Sequence, residues 1–204
     1  TVQAVTEISL HLDEHEFLSI LGPSGCGKST LLRLIAGLEV PSQGQVFLHG
    51  QEISGRKIIL PPERRKFGMI FQDFALFPHL SVKDNVRYGT TGSKKEKQQR
   101  VHELLELVSL PHLATKMPHQ ISGGEQQRIA VARALAPRPR LILMDEPFSN
   151  LDYQLRQQLR RDIREILKHE GVATVLVTHD QVEAITFSDR MLLMQKGKVV
   201  QEGT

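Results

Sequence analysis

The chain has 204 residues, of which 40% are apolar and 24% are charged. This composition is typical of a folded domain and not of a disordered segment. The net charge at neutral pH is only +3, so charge alone gives no argument for a nucleic-acid partner. A single cysteine excludes a disulfide framework and favours a reducing compartment. No apolar run approaches the roughly 18 residues of a membrane span, and no signal peptide is visible.

The first part of the chain predicts strands on both sides of a helix. Residues 17–21 form a short apolar run that ends at a glycine-rich turn, which is typical of a buried strand. The next apolar residues recur at helical spacing up to Gly37, a candidate C-cap. Residues 45–53 then predict a hairpin around a His-Gly turn, and residues 66–71 predict a further strand.

The rest of the chain predicts helices and then an alternation of strands and helices. No strand pattern is visible from about residue 73 to residue 130, and a helix is predicted from near Ser122 to about Leu135. Three apolar strands follow, at residues 141–144, 173–177 and 191–194. Strands that alternate with helices predict a mostly parallel sheet covered on both faces.

The predicted fold is therefore α/β, with a mostly parallel sheet, an antiparallel β section near the N-terminus and an inserted helical subdomain. Residues 1–72 and 131–204 are assigned to the core, and residues 73–130 to the helical subdomain.

The most informative motif is a phosphate loop. Residues 22–29 read Gly-Pro-Ser-Gly-Cys-Gly-Lys-Ser and fit the pattern G-x-x-x-x-G-K-[ST] between a predicted strand and a predicted helix. Such a loop turns backbone N–H groups and a helix N-terminus toward phosphate. Lys28 would reach the β- and γ-phosphates of ATP, and Ser29 would ligate Mg²⁺. The candidate ATP-binding residues of the loop are Gly22, Pro23, Ser24, Gly25, Cys26, Gly27, Lys28, Ser29 and Thr30.

The loop pattern as a whole and the residue Cys26 each have a second interpretation. The pattern also fits a chance glycine-rich turn with a surface lysine, but the strand–loop–helix context favours a phosphate site. Cys26 is expected simply to fill a loop position. Because it lies near Lys28 and a helix N-terminus, a redox-sensitive thiol is the other hypothesis.

A second acidic element follows the apolar strand at residues 141–144. Asp145 at the strand end is a candidate Mg²⁺ ligand opposite the loop hydroxyl. Along an extended chain Glu146 points the other way, which leaves it free to orient or deprotonate water. The alternative is a solvated acidic turn before Pro147, which is unfavoured beside a phosphate loop.

Ser122, Gly123, Gly124 and Glu125 precede the predicted helix and have two interpretations. Ser-x-x-Glu is a capping box, in which the serine caps the helix and the glutamate reaches back. Two glycines in a first helical turn, however, cost about 1 kcal/mol each relative to alanine. Exposed N–H groups and the close approach of an anion would compensate for that cost.

Gln72 and His179 each follow a predicted strand, where ligands of open α/β sheets bind. Either residue taken singly is more typical of an ordinary polar loop position.

With these residues in place, the chain resembles the ATP-binding subunit of an ATP-binding-cassette (ABC) transporter. The resemblance rests on the phosphate loop, Gln72, the Ile-Ser-Gly-Gly-Glu element that starts at Ile121, the acidic strand end and His179, and the loop 149–152 resembles the family's D-loop. It implies a phosphate-loop NTPase core with ATP and Mg²⁺ as ligands. It implies Glu146, His179, Gln72 and Lys28 as catalytic residues, and Ser29, Gln72 and Asp145 as metal ligands.

The resemblance also implies partners. The family forms head-to-tail homodimers that hold ATP between the phosphate loop of one subunit and the Ser-Gly-Gly helix of the other. Transmembrane permease subunits would bind the ATPase at the cytoplasmic face of the inner membrane, with a substrate-binding protein as an indirect partner and no nucleic acid. The apolar residues Phe74, Leu76, Phe77 and Pro78 would dock a permease helix, unless they form the core of the helical subdomain instead.

Some positions depart from the family pattern. Ile121 and Glu125 stand where Leu and Gln are more usual, which adds charge near phosphate, and His15 stands where the turn often has Gly. The aromatic residue that usually stacks on adenine is expected upstream of Thr1, because residues 1–16 contain no Phe, Tyr or Trp. A C-terminal regulatory β-domain would begin near Thr204.

The stretch that starts at Phe71 is similar to importer ATPases for sugars, polyamines, oxyanions and ferric ion, of which ferric ion is the nearest hypothesis. The alternatives are another importer and a non-transport ABC ATPase that acts on nucleic acid, although the long insertions of the latter are not visible. The Ser-Gly-Gly-Glu helix and His179 argue against a small phosphate-loop kinase or GTPase.

Overall fold

A computed structural model describes residues 4–56 and 58–204. Its main feature is a six-stranded sheet in the order β4-β5-β6-β1-β7-β8. All pairs are parallel except β7 with β8, and a separate antiparallel hairpin is formed by β2 and β3. The strands are β1 Phe17–Leu21, β2 Val46–Leu48, β3 Gln51–Ser54, β4 Phe67–Ile70, β5 Leu141–Asp145, β6 Ala173–Thr178, β7 Arg190–Gln195 and β8 Lys198–Gly203.

Seven α-helices accompany these strands in the described part of the chain. They are α1 Lys28–Ala36, α2 Pro62–Arg65, α3 Val82–Tyr88, α4 Lys94–Leu107, α5 Gly123–Leu135, α6 Tyr153–His169 and α7 Gln181–Phe187. Two 3₁₀ turns, Pro111–Leu113 and Pro118–Gln120, lie between α4 and α5. Gly37 closes α1 in the left-handed conformation, as predicted.

Both faces of the sheet are covered, because the central strands send alternate apolar residues into two separate cores. In β5, Ile142 and Met144 join a core that contains residues of α3–α6. Leu141 and Leu143 join the other core, which contains residues of α1. This division confirms the predicted α/β class and the mostly parallel sheet.

Residues 73–130 contain three helices and the two 3₁₀ turns, and no strand. Their buried residues, such as Val86 and Leu104, belong to the same core as one face of the sheet. The predicted boundary at residue 130 falls inside α5, and the division into two domains stays a prediction.

One strand was missed by the sequence analysis, and one local expectation is wrong. β8 was not predicted, because it is an exposed edge strand without a clear alternation of apolar residues. Phe74 is only 7% exposed and belongs to the core, so it is not a surface docking residue. Phe77 is half-buried, with its ring 4.6 Å from the ring of Tyr88 and 5.2 Å from the guanidinium of Arg133.

Candidate functional site

The phosphate loop connects β1 to α1 at the carboxyl end of the sheet. Gly27 caps α1 with φ of 104°, and a Cβ atom there would lie 2.2 Å from the carbonyl oxygen of Ala4. Only glycine fits this position, since both the backbone angle and the close contact exclude a side chain. Cys26 is 5% exposed and packs with the core on the α1 side, which supports its interpretation as a residue that fills the loop.

Lys28 lies inside this loop. Its side chain is 4% exposed, and its Nζ donates hydrogen bonds to the carbonyl oxygens of Gly22 at 2.9 Å and Pro23 at 3.1 Å. The same Nζ lies 4.0 Å from Oε1 of Glu146. The buried ammonium group is therefore held in the loop by two carbonyl oxygens, with one carboxylate nearby.

Ser29 and Asp145 meet beside this lysine. The Ser29 hydroxyl, in the first turn of α1, donates to Oδ1 of Asp145 at the end of β5, at 2.8 Å. Both are hard oxygen ligands of the kind that Mg²⁺ prefers. Within residues 4–56 and 58–204 no group of three or more His, Cys, Asp or Glu residues is placed to hold a metal ion. A hydroxyl and one carboxylate fit a Mg²⁺ ion that takes its other ligands from phosphate and water.

Glu146 departs from the expected geometry. Its φ is 45°, in the left-handed region, so the chain is not extended there. The strand alternation that predicted opposite directions for Asp145 and Glu146 stops at Asp145, and the expectation is wrong for that reason. Glu146 instead lies near Lys28 through Oε1, and its Oε2 is 3.0 Å from Nδ1 of His179.

His179 is the residue directly after β6, the strand next to β5 in the sheet. Its ring is half exposed, and the contact with Glu146 joins two neighbouring strand ends. The structure thus brings together three separate segments of the chain at the carboxyl end of the sheet: Lys28 with Ser29, Asp145 with Glu146, and His179.

Gln72 lies at the same end of the sheet, after β4, with an exposed side chain. Its main-chain oxygen accepts a hydrogen bond from Nδ2 of Asn150 at 2.9 Å. Among the hydrogen bonds of the described residues, none joins the Gln72 amide group to Ser29 or Asp145. Its assignment as a metal ligand therefore stays a prediction.

The Ser122–Glu125 element forms the predicted capping box at the start of α5. Oε2 of Glu125 accepts from the Ser122 backbone N–H at 2.7 Å, and Ser122 Oγ accepts from the Glu125 backbone N–H at 3.4 Å. The Ser122 hydroxyl also donates to Oε2 of Glu125 at 2.8 Å, and the two hydrogen bonds that this carboxylate accepts from the backbone and hydroxyl of Ser122 lower the pKa of Glu125. No hydrogen bond of the described chain joins this turn to the phosphate loop at residues 22–30.

Other residues that were not among the predicted catalytic, ATP-binding or metal-binding residues also contact the site. Ser149 Oγ donates to the main-chain oxygen of Glu146 at 2.9 Å, and Arg156 donates to the main-chain oxygen of Leu151 at 2.8 Å. Asp180, next to His179, caps α7. The resemblance of residues 149–152 to the D-loop marks the first of these contacts. Nothing in the amino-acid pattern marks Arg156, one of several arginines on α6.

Comparison with known proteins decides the family. The family model described as "ABC transporter" matches residues 5–149. The chain belongs to the ABC transporter family. It is 51% identical over 201 residues, 98% of its length, to an Fe(3+) ions import ATP-binding protein (FbpC 2) of Pectobacterium atrosepticum. It is 47% identical over 206 residues, 100% of its length, to a spermidine/putrescine import ATP-binding protein (PotA) of Mesorhizobium japonicum.

This ABC chain spans 58% and 56% of the lengths of those two relatives. Among solved structures it is similar to the ATP-binding cassette MJ0796, described as dimeric and bound to ADP and Pi, with a TM-score of 0.83 and 34% identity over 98% of this chain and 90% of that one. It is also similar to cbiO1 of Clostridium perfringens, part of the transporter complex cbiONQ, with a TM-score of 0.89 and 29% identity over 98% and 81% of the two chains. No helix in the described part of the chain is both long enough and apolar enough to cross a membrane.

Proposed function

We propose that this chain is the ATPase subunit of an ABC importer, which binds and hydrolyses MgATP to drive uptake through a membrane permease. The observation that carries the proposal is the convergence of Lys28, Glu146 and His179 beside the Ser29–Asp145 pair. A cation, a carboxylate and an imidazole would thereby surround the γ-phosphate that the phosphate loop holds.

The roles of these residues follow from their chemistry. The backbone N–H groups of the phosphate loop and Lys28 would bind the phosphates. Ser29 and Asp145, with Gln72 as a further candidate, would hold Mg²⁺, which neutralises phosphate charge when bound. Glu146 would orient the attacking water and accept its proton. His179, whose Nδ1 contacts Oε2 of Glu146, would orient that carboxylate or donate a hydrogen bond to the γ-phosphate.

The second half of the nucleotide site would come from another subunit. Ser122, Gly123, Gly124 and Glu125 make no hydrogen bond with the phosphate loop of their own described chain, yet they present a helix N-terminus suited to an anion. A head-to-tail homodimer would place this turn against the γ-phosphate bound by the partner. The dimeric relative MJ0796 supports the proposal.

The partners and cargo are also proposed. Permease subunits would bind the ATPase at the cytoplasmic face of the membrane, and a substrate-binding protein would act through the permease. Ferric ion and polyamines are both supported as cargo, because relatives of similar identity are described as importing one or the other. Uptake of radiolabelled iron and of spermidine by a strain that lacks this gene would distinguish the two.

The ATPase assignment is tested by Glu146→Gln. The variant should bind ATP with unchanged affinity and lose nearly all turnover, since an amide cannot accept the proton. Lys28→Ala should instead lose affinity and turnover together. Glu165→Gln is the control, because Glu165 is exposed on α6 and takes part in no hydrogen bond or ion pair among the described residues. Turnover of Glu146→Gln near that of the control would remove Glu146 from the mechanism, and an inactive wild type would refute the ATPase assignment.

A further inference from the structure

Behind the catalytic candidates lies one side chain that contacts two of the loops around them. Arg156 projects from the first turn of α6 and is about one quarter exposed. Its Nη2 donates to the main-chain oxygen of Leu151 at 2.8 Å and to that of Ser149 at 3.4 Å. Its Nη1 lies 3.7 Å from Oδ2 of Asp180, the residue after His179.

The loop on the first side of Arg156 is tied to both neighbouring candidate segments. Ser149 Oγ donates to the main-chain oxygen of Glu146 at 2.9 Å. Asn150 Nδ2 donates to the main-chain oxygen of Gln72 at 2.9 Å. We define residues 149–151 as the connecting loop. Its position therefore affects the backbone of Glu146 and of Gln72, and Arg156 is the side chain that fixes two of its carbonyl groups.

The loop on the other side of Arg156 carries His179. Asp180 uses Oδ1 to accept from the N–H groups of Val182 and Glu183, at 2.8 and 3.1 Å, so this oxygen caps α7. The N–H of Asp180 donates to Thr178 Oγ1 at 3.0 Å. The second carboxylate oxygen, Oδ2, is the one that faces Arg156. One carboxylate oxygen of Asp180 therefore caps α7, and the other contacts Arg156.

We propose that Arg156 is a positioning residue that holds the connecting loop and the His179 loop in one arrangement, and so maintains the contact between Glu146 and His179. Its kinetic consequence rests on the proposed ATPase function. Arg156 itself makes no hydrogen bond with the phosphate loop in the described chain. Its removal should therefore disturb the hydrolytic step and leave the binding of phosphate by Lys28 unaffected.

The first test is a kinetic comparison of Arg156→Ala with Arg161→Ala. Arg161 is an exposed arginine of the same helix and takes part in no hydrogen bond or ion pair among the described residues. We expect Arg156→Ala to lower kcat roughly ten-fold to a hundred-fold, the scale of a displacement of about 1 Å in a catalytic group. KM for ATP should stay within about twofold, since phosphate contacts are retained. Arg161→Ala should match the wild type.

Conservative variants separate positioning from loss of fold. Arg156→Lys keeps the charge near Asp180 but lacks the fork that reaches two carbonyl groups, so it should recover only part of kcat. Asp180→Asn keeps the helix cap, because asparagine caps as well as aspartate, and should show a smaller loss. The double variant Arg156→Ala with Asp180→Asn should be no slower than Arg156→Ala alone, since both changes remove one shared interaction. Additive losses would contradict the proposal.

A measurement without nucleotide distinguishes this inference from the ATPase assignment. The ring ¹⁵N chemical shifts of His179 report its hydrogen bond at Nδ1. At fixed pH we expect Arg156→Ala to move them toward the values of Glu146→Gln, whereas Arg161→Ala leaves them unchanged. Unchanged shifts and kcat in a folded Arg156→Ala variant would overturn the inference. If the wild type proved inactive, the shifts would still test the positioning role.

Discussion

The two glycines at the start of α5 can each be replaced by alanine, which adds one methyl group, and the two substitutions test separately whether a glycine is needed for packing or for function. A Cβ atom at Gly123 would meet only Leu151, with Cδ2 at 3.4 Å, which is an ordinary van der Waals contact. A Cβ atom at Gly124 would lie 3.1 Å from a methyl carbon of Leu155 and 3.1 Å from one of Leu159. Leu159 is 1% exposed and packed in the core, so it has little room to move.

These contacts set opposite expectations for alanine. Alanine favours a helix over glycine by up to about 1 kcal/mol, and at position 123 nothing opposes this gain. At position 124 the same gain is opposed by overpacking, which costs about 1–3 kcal/mol in a dense core. We therefore expect Gly123→Ala to raise the free energy of unfolding by up to about 1 kcal/mol, and Gly124→Ala to lower it by about 0–2 kcal/mol.

Urea denaturation of the two variants and the wild type measures both changes. In thermal unfolding, a difference of 1 kcal/mol in a chain of this size corresponds to a shift in Tm of about 2–4 °C. If Gly124→Ala were as stable as Gly123→Ala, the close packing of α5 against α6 would not be the reason for glycine at position 124.

The ATPase assay gives the second half of this experiment. If Gly123 is glycine because a phosphate of the partner's nucleotide approaches the helix start, Gly123→Ala should lose turnover while it gains stability. Such a trade is the expected signature of a residue retained for function. A Gly123→Ala variant with wild-type turnover would show that the close approach does not occur at this position.

Two carboxyl groups give further predictions. Burial, assisted by the charge of Asp180, raises the pKa of Glu183 despite a hydrogen bond from Thr178. Because the folded protein favours the protonated carboxyl group, the free energy of unfolding falls as pH rises above the unfolded pKa of about 4.3. The stability of Glu183→Gln relative to the wild type should thus grow between about pH 4 and pH 7 in urea titrations, and a constant difference would contradict this. The lowered pKa of Glu125 implies the opposite sign, since its contribution is lost as pH falls. Glu125→Gln should keep the capping box at neutral pH and strengthen ATP-dependent dimerisation, as measured by light scattering, because a negative charge near phosphate is removed.

The elements with a strong physical signal were predictable from the sequence. β1, β5 and β6 are buried along nearly their whole length, and their apolar runs match their bounds within about a residue. The start of α5 was predictable because Ser122 and Glu125 form a local capping box that needs no tertiary context. The phosphate loop was predictable because glycines, a lysine and a hydroxyl at fixed spacing serve one function.

The features that were missed depend on contacts between distant segments. β8 is held by pairing with β7, and its exposed side chains leave no pattern. The packing of Gly124 against Leu159 joins α5 to α6, so the local interpretation of this glycine as an anion contact overlooked a packing reason. Arg156 is indistinguishable in sequence from the other arginines of α6, because its role depends on where Leu151 and Asp180 place their oxygens.

Glu146 shows how a local rule fails at the site where the chemistry is proposed. A residue before proline is biased toward extended backbone, yet Glu146 precedes Pro147 with φ of 45°. Such a conformation costs about 1–3 kcal/mol and persists only where the surroundings fix it. Here the N–H of Glu146 donates to the carbonyl oxygen of Val177 at 3.0 Å, and its own carbonyl oxygen accepts from the Ser149 hydroxyl. Its carboxylate contacts the ring of His179. Val177 lies near the end of the neighbouring strand β6, and His179 is the residue that directly follows this strand. The same neighbouring segment therefore fixes the strained backbone and contacts the carboxylate, which explains why the strand alternation of β5 could not predict where Glu146 points.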